Sequence, residues 1–260
     1  MTTNYDGPLS PSNFPGGVST QLQGNPMFAF GMPDPTQWHT FWNDFNEFTA
    51  VLEDATTAAD WTATDTNTTL ATCTVIDGDG GILSVTNTAA AGDAIFFQWR
   101  GGNGAAAAVQ ESWRWASDKA MFFKARFQLS DATDSDFVLG LQITDATPLD
   151  VTDGLFFIKP DDSAVITFRA EKDNTASTVT TGTLANTTYC TVAFAYLPSG
   201  GPGGIPTCDV YFNDVRVGSL TTFTNFPDDE DLAVSFGLVN GDTAAARTAL
   251  LDYILVAKQR

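Results

Sequence analysis

The chain has 260 residues, of which 31 are acidic and 12 are basic, so its formal net charge is −19 at pH 7. A chain of this length can bury enough surface to fold without metals or disulfides, so stability alone predicts no cofactor. The negative charge repels phosphate backbones and anionic lipids, which argues against nucleic acid and membrane surfaces as partners.

Residues 1–37 are predicted to form an extended N-terminal arm. They are rich in Pro, Gly, Asn and Ser and show neither the helical nor the strand period. The arm also contains a cluster of apolar residues, which would be unfavourable in a segment exposed to water. We therefore expect the arm to bind a partner, and a free, disordered tail is the alternative. The cluster consists of Phe14, Met27, Phe28, Phe30 and Met32.

The N-terminus shows no signal-peptide pattern, and no stretch reaches the roughly 18 consecutive apolar residues of a membrane span. We therefore expect a soluble protein that is made in the cytoplasm. Cys73, Cys190 and Cys208 are widely spaced, and each lies in an apolar or Thr-rich run. This pattern favours buried thiols over a disulfide or a metal site.

From Trp38 onward, short runs rich in Val, Ile, Thr, Phe and Tyr are separated by turn residues every eight to twelve positions or so. This spacing predicts one all-β domain over residues 38–260, built as two stacked sheets. The segment 39–54 suits a short helix or an opening strand equally well, and the alanine-rich run 102–113 suits a helix or a loop. Predicted strands are 69–77, 81–88, 94–100, 120–129, 137–144, 154–160, 164–172, 188–197, 208–214, 215–220, 232–240 and 250–258.

Alternation within the strand 120–129 predicts which of its sides is buried. The apolar residues from Phe123 to Leu129 share one side, while Lys124, Arg126 and Gln128 share the other. We expect the charged side to face solvent. The dipeptide Asn213-Asp214 predicts a hairpin turn between two antiparallel strands.

Several segments follow one another in a characteristic order: FWNDFNEF, ADWTAT, DGGILSVTNT, KARFQLSDATDSDFVLGLQITDATPLDVTDGLFFIK, NTTYCTVAFAY, VYFNDVRVGSL and LLDYILVAK. In order and texture they resemble the concanavalin A-like lectin/glucanase jelly roll, in the version found in virion proteins of tailed bacteriophages. The resemblance implies an all-β, two-sheet antiparallel jelly-roll sandwich with an extended N-terminal arm.

The same resemblance implies a non-enzymatic virion structural protein, most simply a capsid decoration or cement protein on the outer surface of the capsid. Its partners would be the major capsid protein and copies of itself, as a trimer or dimer. The alternative is a lectin-like phage appendage that recognises a host surface polysaccharide. Trp99, Trp113 and Trp115 would then be candidates for stacking on sugar rings, unless they fill the core or an oligomer contact.

Known catalytic templates find no match in the sequence. Glucanases of this fold carry Glu-x-Asp-x-x-Glu on one strand, where two glutamates do the chemistry. The nearest approach runs from Asp44 to Glu47, but Trp42 stands in place of the first glutamate. His39 is the only histidine, and no Gly-x-Ser-x-Gly elbow accompanies it. We therefore predict no catalytic residues.

Aspartates in two clusters, which flank the predicted strand 137–144, could cap turns or bind calcium. They do not follow the EF-hand pattern, and turn capping is the simpler interpretation. A calcium ion held by the first cluster is the remaining metal hypothesis, and no other cofactor is expected. The clusters are Asp131, Asp134 and Asp136, and then Asp145, Asp150 and Asp153.

Overall fold

The computed structural model describes residues 38–52, 59–65, 72–78, 80–100, 111–199 and 202–260. The predicted arm with its five apolar residues, and most of the alanine-rich run, lie outside these ranges. Within them the only helical element is a 3-10 turn at Pro202–Gly204. No helix in the described part of the chain is long and apolar enough to cross a membrane.

Sixteen strands make up the described fold, and they include every strand predicted from the sequence. They are β1 (Trp38–Asn43), β2 (Ala50–Leu52), β3 (Trp61–Asp65), β4 (Thr72–Gly78), β5 (Gly80–Thr86), β6 (Ala94–Trp99), β7 (Met121–Leu129), β8 (Ser135–Gln142), β9 (Gly154–Lys159), β10 (Val165–Lys172), β11 (Thr175–Thr183), β12 (Cys190–Leu197), β13 (Thr207–Phe212), β14 (Val215–Leu220), β15 (Ala233–Asn240) and β16 (Thr248–Gln259).

The strands form two sheets of eight. The front sheet has the order β14-β13-β12-β7-β16-β5-β4, with β1 also paired to β16. The back sheet has the order β11-β10-β9-β8-β15-β6-β3-β2. Every pairing among these described strands is antiparallel except that of β2 with β3, which is parallel. The all-β, two-sheet prediction is therefore confirmed.

The main core lies between the sheets, and phenylalanine and leucine are its most frequent residues. Along β7 the apolar side from Phe123 to Leu129 is buried in this core, as alternation predicts. The expectation that the opposite side faces solvent is wrong for Lys124, whose residue is only 5% exposed. Its ammonium group lies 2.6 Å from a carboxylate oxygen of Asp214, so burial of the charge is accompanied by an ion pair.

Two strands in the back sheet, β3 and β11, were not expected from the sequence. β11 is an edge strand of Thr and Ser residues, several of them exposed, so it lacks the apolar alternation that marks a half-buried strand. β3 is short, and Trp61 and Ala63 are the residues by which it contributes to the main core. The segment 39–54 contains strands rather than a helix, because β1 pairs with the C-terminal half of β16.

The outer side of the back sheet is covered by the chain itself. Phe96, Val138 and Phe156 project from this side and form a second buried apolar cluster. Residues 143–153, which we call the covering loop, lie against it. Gln98 Nε2 donates to the Ile143 carbonyl at 2.9 Å. Gln142 Nε2 similarly donates to the Pro148 carbonyl at 2.7 Å. The second aspartate cluster belongs to this loop, which packs against the outer side of the back sheet.

Candidate functional site: a cleft between two tryptophans

A cleft of about 340 Å³ opens where the chain leaves β1 of the front sheet and crosses to β2 of the back sheet. We call it the tryptophan cleft. Two aromatic rings and a set of polar side chains line it, and its described lining residues include no lysine or arginine. They are Trp42, Asn43, Asp44, Asn46, Glu47, Asp60 and Trp99.

Both tryptophans are held in place by other aromatic rings. Trp42 is 58% exposed, and its ring stacks on Tyr253 with centroids 5.6 Å apart and planes 13° apart. Trp99 is partly buried and meets Phe41 and Trp61 edge to face, at 4.8 and 5.2 Å between centroids. Both rings therefore pack against aromatic neighbours in the protein itself, and Trp42 still presents most of its surface to solvent.

A tight turn after β1 places the polar side of the cleft. Phe45 has a φ of 45° and is fully buried, and its N–H donates to Asn43 Oδ1 at 2.8 Å. The carbonyl of Asp44 accepts from the Gly81 N–H at 2.9 Å. A Cβ at Gly81 would lie 2.0 Å from the Phe45 carbonyl oxygen, so glycine is needed for this close approach of the two backbones. Anchoring of Phe45 leaves Asn46 and Glu47 exposed at the rim.

This turn also settles how the stretch from Asp44 to Glu47 relates to the glucanase motif. The motif requires a continuous strand, so that alternation aims its carboxylates at one side. Here β1 ends at Asn43 and the backbone of Phe45 is left-handed, so alternation does not apply. Asp44 and Glu47 do not form the glucanase motif, but both line the cleft.

Asp60 enters the cleft from the other sheet, just before β3, and sequence reasoning missed it. Its Oδ2 accepts from the Thr49 hydroxyl at 3.0 Å, and its own N–H donates to that hydroxyl at 3.0 Å. Its carbonyl accepts from the Arg100 N–H at 2.7 Å. The only signal that could have pointed to Asp60 is its position before Trp61, at the start of a strand.

The other aromatic candidates lie elsewhere. Trp113 and Trp115 are 1% and 5% exposed in the main core, so of the three tryptophans considered for sugar stacking only Trp99 reaches the cleft. His39 packs edge-on against Trp113 with centroids 4.2 Å apart. Burial lowers the pKa of His39, and the positive charges of Arg260 and Lys258 lower it further. It is a packing residue outside the cleft.

The first aspartate cluster is used inside the protein. Asp131 Oδ1 accepts from the backbone N–H groups of Thr133 and Asp134 at 3.0 and 3.1 Å, which is turn capping. Arg247 forms ion pairs with both Asp131 and Asp134. Asp136 accepts from the N–H of Asp161 at 2.8 Å. A guanidinium already neutralises two of the three candidate calcium ligands, so a calcium ion would have to displace Arg247 from them.

A different acidic group lies beside it. Asp161, Asp162 and Asp242 each offer a carboxylate oxygen within 4.8 Å of the others, the one such trio among the described residues. Asp161 Oδ1 is buried without a hydrogen-bond partner. The trio joins two loops about eighty residues apart in sequence, which is why no spacing pattern reveals it.

The cysteines carry free thiols, with Cys190 and Cys208 buried and Cys73 partly buried. Burial raises the pKa of Cys73 and of Cys190 to about 12. Burial raises the pKa of Cys208 as well, with a further contribution from Asp209. Such thiols stay protonated at neutral pH and are poor nucleophiles and metal ligands.

Comparison of the sequence with models of known protein families gives no match, and comparison with curated proteins gives none either. Solved structures do match. A protein of unknown function from Shewanella oneidensis MR-1 has a TM-score of 0.53 and 13% identity, over 86% of this chain and 87% of that one. The carbohydrate recognition domain of Emp47p has a TM-score of 0.53 and 10% identity, over 86% of this chain and 97% of that one.

A carbohydrate esterase from the Shiga toxin-encoding bacteriophage phi24B has a TM-score of 0.45 and 14% identity, over 76% of this chain and 90% of that one. A likeness this weak carries no argument about function. At identities of 10% and 13%, the two stronger matches show the fold alone. That fold is the concanavalin A-like jelly roll, as the order of the sequence segments implies.

Proposed function

We propose that the protein binds a saccharide in the tryptophan cleft, as a non-catalytic, lectin-like module. The observation that carries this proposal is the exposed ring of Trp42, held against Tyr253 beside a rim of carboxylates and amides. Of the functions implied by the sequence resemblance, the glycan-binding appendage is the one that this geometry supports.

A sugar ring has an apolar face and a polar edge. Its C–H face is apolar and stacks on an aromatic ring, while its hydroxyls need donors and acceptors around the edge. The cleft offers both, and its volume of about 340 Å³ falls in the range of small-molecule sites, roughly 300 to 1,000 Å³. Because the rings of Trp42 and Trp99 already pack against other aromatic rings, we expect their ordering to cost little on binding.

The test is an array of neutral and acidic oligosaccharides, followed by calorimetry with the saccharide that is best retained. Replacing Trp42→Ala removes the stacking surface and should lower affinity about tenfold or more. Tyr189→Ala is the matched control, since Tyr189 is a partly exposed aromatic residue that is not part of the cleft lining. Equal affinity in Trp42→Ala and the unmodified chain would refute the cleft as the binding site.

The capsid decoration role, with the major capsid protein as partner on the outer surface of a virion, is our second candidate. It is favoured by exposed apolar side chains on both edge strands of the front sheet. Val215 and Val217 on β14 are 64% and 41% exposed, and Val75 and Ile76 on β4 are 41% and 39% exposed. Protected edges normally carry charged residues, so apolar edges suit contacts with neighbouring subunits.

Co-sedimentation with capsids that lack the protein tests this role. We expect Val215→Lys combined with Val217→Lys to abolish capsid binding and to leave saccharide binding unchanged, because these residues do not line the cleft. If that variant still bound capsids, the edge formed by β14 would not be part of the capsid interface.

A further inference from the structure

The carboxylates of the tryptophan cleft are not matched by basic residues in its lining. Asp44, Glu47 and Asp60 are three of the seven described lining residues, and none of the seven is Lys or Arg. Within the described ranges neither Glu47 nor Asp60 forms an ion pair, whereas the exposed Asp231 pairs with Arg114 at 3.0 Å. The lining therefore carries negative charge that none of its own members neutralises.

Two of these carboxylates have oxygen atoms that a ligand can use. Asp60 is partly buried, and its Oδ2 accepts from the Thr49 hydroxyl at 3.0 Å. No described residue donates to its Oδ1, so this oxygen keeps its capacity to accept. Glu47 is exposed at the rim, and its side chain makes no hydrogen bond within the described part of the chain. Because both residues line the cleft, a donor bound there can pair with either of them.

We infer that the cleft selects saccharides that carry a protonated amine, such as amino sugars without an acetyl group; this rests on the saccharide binding proposed above. An ammonium group donates charge-assisted hydrogen bonds to carboxylates, and these are roughly twice as strong as hydrogen bonds between neutral groups. A cation is also attracted to the face of an aromatic ring, and Trp42 is 58% exposed. The amine and the sugar ring thus use different features of the same cleft.

Neutral and acidic saccharides fit this lining less well. A neutral sugar can stack on Trp42, but it displaces water from Glu47 and Asp60 without bringing a cation. An acidic sugar adds negative charge beside carboxylates that repel it. The formal net charge of −19 strengthens the preference at longer range, because it attracts cations to the protein surface.

The spacing of the carboxylates argues against a bare metal ion as the occupant. Among the described residues, only Asp161, Asp162 and Asp242 bring three ligand oxygens within 4.8 Å of one another. The three carboxylates of the cleft do not meet that spacing, although all of them are described. An ammonium group needs hydrogen-bond contact with individual oxygens only, so it tolerates a wider arrangement. The cleft therefore suits an organic cation better than a metal.

Calorimetry on the full chain with three β-1,4-linked oligomers of equal length tests this preference. They are the oligomers of glucosamine, N-acetylglucosamine and glucose, which share a backbone and differ in one substituent of each ring. At about pH 5.5 the amine is protonated and the carboxylates are ionised. We expect the glucosamine oligomer to bind at least about tenfold more tightly than either neutral oligomer. The difference should shrink in about 1 M salt, which screens exposed charges.

Variants that change one carboxylate locate the origin of the preference. Asp60→Asn removes a charge from the cleft and keeps an acceptor for the Thr49 hydroxyl. It should lower the ratio of glucosamine-oligomer affinity to glucose-oligomer affinity at least about threefold. Asp118→Asn is the matched control, because Asp118 is exposed and lies outside the cleft lining, and the net charge changes equally. It should leave the ratio unchanged.

Should Asp60→Asn fail to fold, Glu47→Gln at the exposed rim provides the same comparison of ratios. An equal fall of the ratio in the cleft variant and in Asp118→Asn would overturn the inference, because the charge of the whole protein would then be the cause. Tighter binding of a lysine-rich peptide than of the glucosamine oligomer would overturn it as well, since the cleft would then recognise a protein. A requirement for calcium, abolished by a chelator, would assign the carboxylates to a metal instead.

Failure of the amine preference can be told apart from failure of saccharide binding. If a neutral oligomer bound as tightly as the glucosamine oligomer, and Trp42→Ala weakened both, the preference would be wrong and saccharide binding would stand. If neither these oligomers nor the wider array bound to the protein, both proposals would be wrong.

Discussion

The two ends of the sandwich are both rich in carboxylates, yet they differ in where those carboxylates find partners. At one end lie residues 130–136, 160–162 and 240–242, which we call the aspartate end. There Arg247 and backbone N–H groups take up the charges of Asp131 and Asp134. At the opposite end the tryptophan cleft has carboxylates at its rim and no basic side chain among its described lining residues.

The difference shows that acidic density alone does not identify a site. The pKa of Asp131 is lowered first by the backbone N–H of Asp134, and the pKa of Asp134 first by the Thr243 hydroxyl, with Arg247 contributing to both. Such carboxylates are structural. At the cleft, exposed aromatic surface beside polar groups is what indicates a ligand.

The largest effect on stability should come from Lys159, which is fully buried beneath the aspartate end. Its Nζ donates to the Ala132 carbonyl at 2.9 Å and to Ser135 Oγ at 3.3 Å. Lys159→Met leaves the Ala132 carbonyl without this buried donor and removes one partner of Ser135 Oγ, which still donates to the Asp131 carbonyl, so we expect a loss of about 3 kcal/mol in urea unfolding. Lys119→Met, at a partly exposed position, should change stability by less than about 0.5 kcal/mol. Equal stabilities of the two variants would contradict the structural role of Lys159.

Arg247→Met should lower the melting temperature by several degrees at pH 7, because it leaves Asp131 and Asp134 without their cation. Both carboxyls have folded-state pKa values below their usual range, so their stabilisation is present above the unfolded pKa of about 3.9 and is lost as the pH falls through the folded values. The variant and the unmodified chain should therefore melt more alike at pH 2.5 or so. A difference that does not depend on pH would show that Arg247 acts by packing.

Asp136→Asn should have a smaller effect of opposite sign. Burial raises the pKa of Asp136, with further contributions from Asp161 and Asp242, so its ionised form is disfavoured in the folded state. That penalty is absent below the unfolded pKa and grows as the pH rises through the folded one. Asparagine keeps the acceptor for the Asp161 N–H, so the variant should melt higher at pH 7 and unchanged near pH 3. Destabilisation at pH 7 would instead mean that these loops need the charge, as they would if they held a cation.

Glu47→Gln, at the cleft, should leave stability within about 0.5 kcal/mol of the unmodified chain, because the side chain is exposed at the rim. Saccharide affinity should fall by roughly three- to tenfold, since a carboxylate accepts stronger hydrogen bonds than an amide. Thermal melting and calorimetry measure the two effects. A change in stability without a change in affinity would show that Glu47 has a structural role, like the carboxylates at the aspartate end, and does not contribute to saccharide binding.

Much of the fold could be predicted from the sequence because alternation records which side of a strand is buried. β16 follows that rule along most of its length, and β7 follows it from Ala125 to Leu129. It fails for β11, whose side chains are mostly polar at the sheet edge, and for Lys124, which an ion pair keeps buried on the outer side. Asp131 and Asp145 cap turns on either side of β8, which local sequence predicts, but the partner role of Arg247, more than a hundred residues away, has no local signal.

By itself the sequence determined the all-β class, most of the strands and the chemistry of their turns, because these depend on residues close together in the chain. Only the tertiary structure decided which polar and aromatic residues meet. Trp42 lies on β1 of the front sheet and Glu47 follows it in the connection to β2, while Trp99 lies on β6 of the back sheet and Asp60 directly precedes β3. A binding site of this kind depends on long-range strand pairing, so no spacing in the sequence could reveal it.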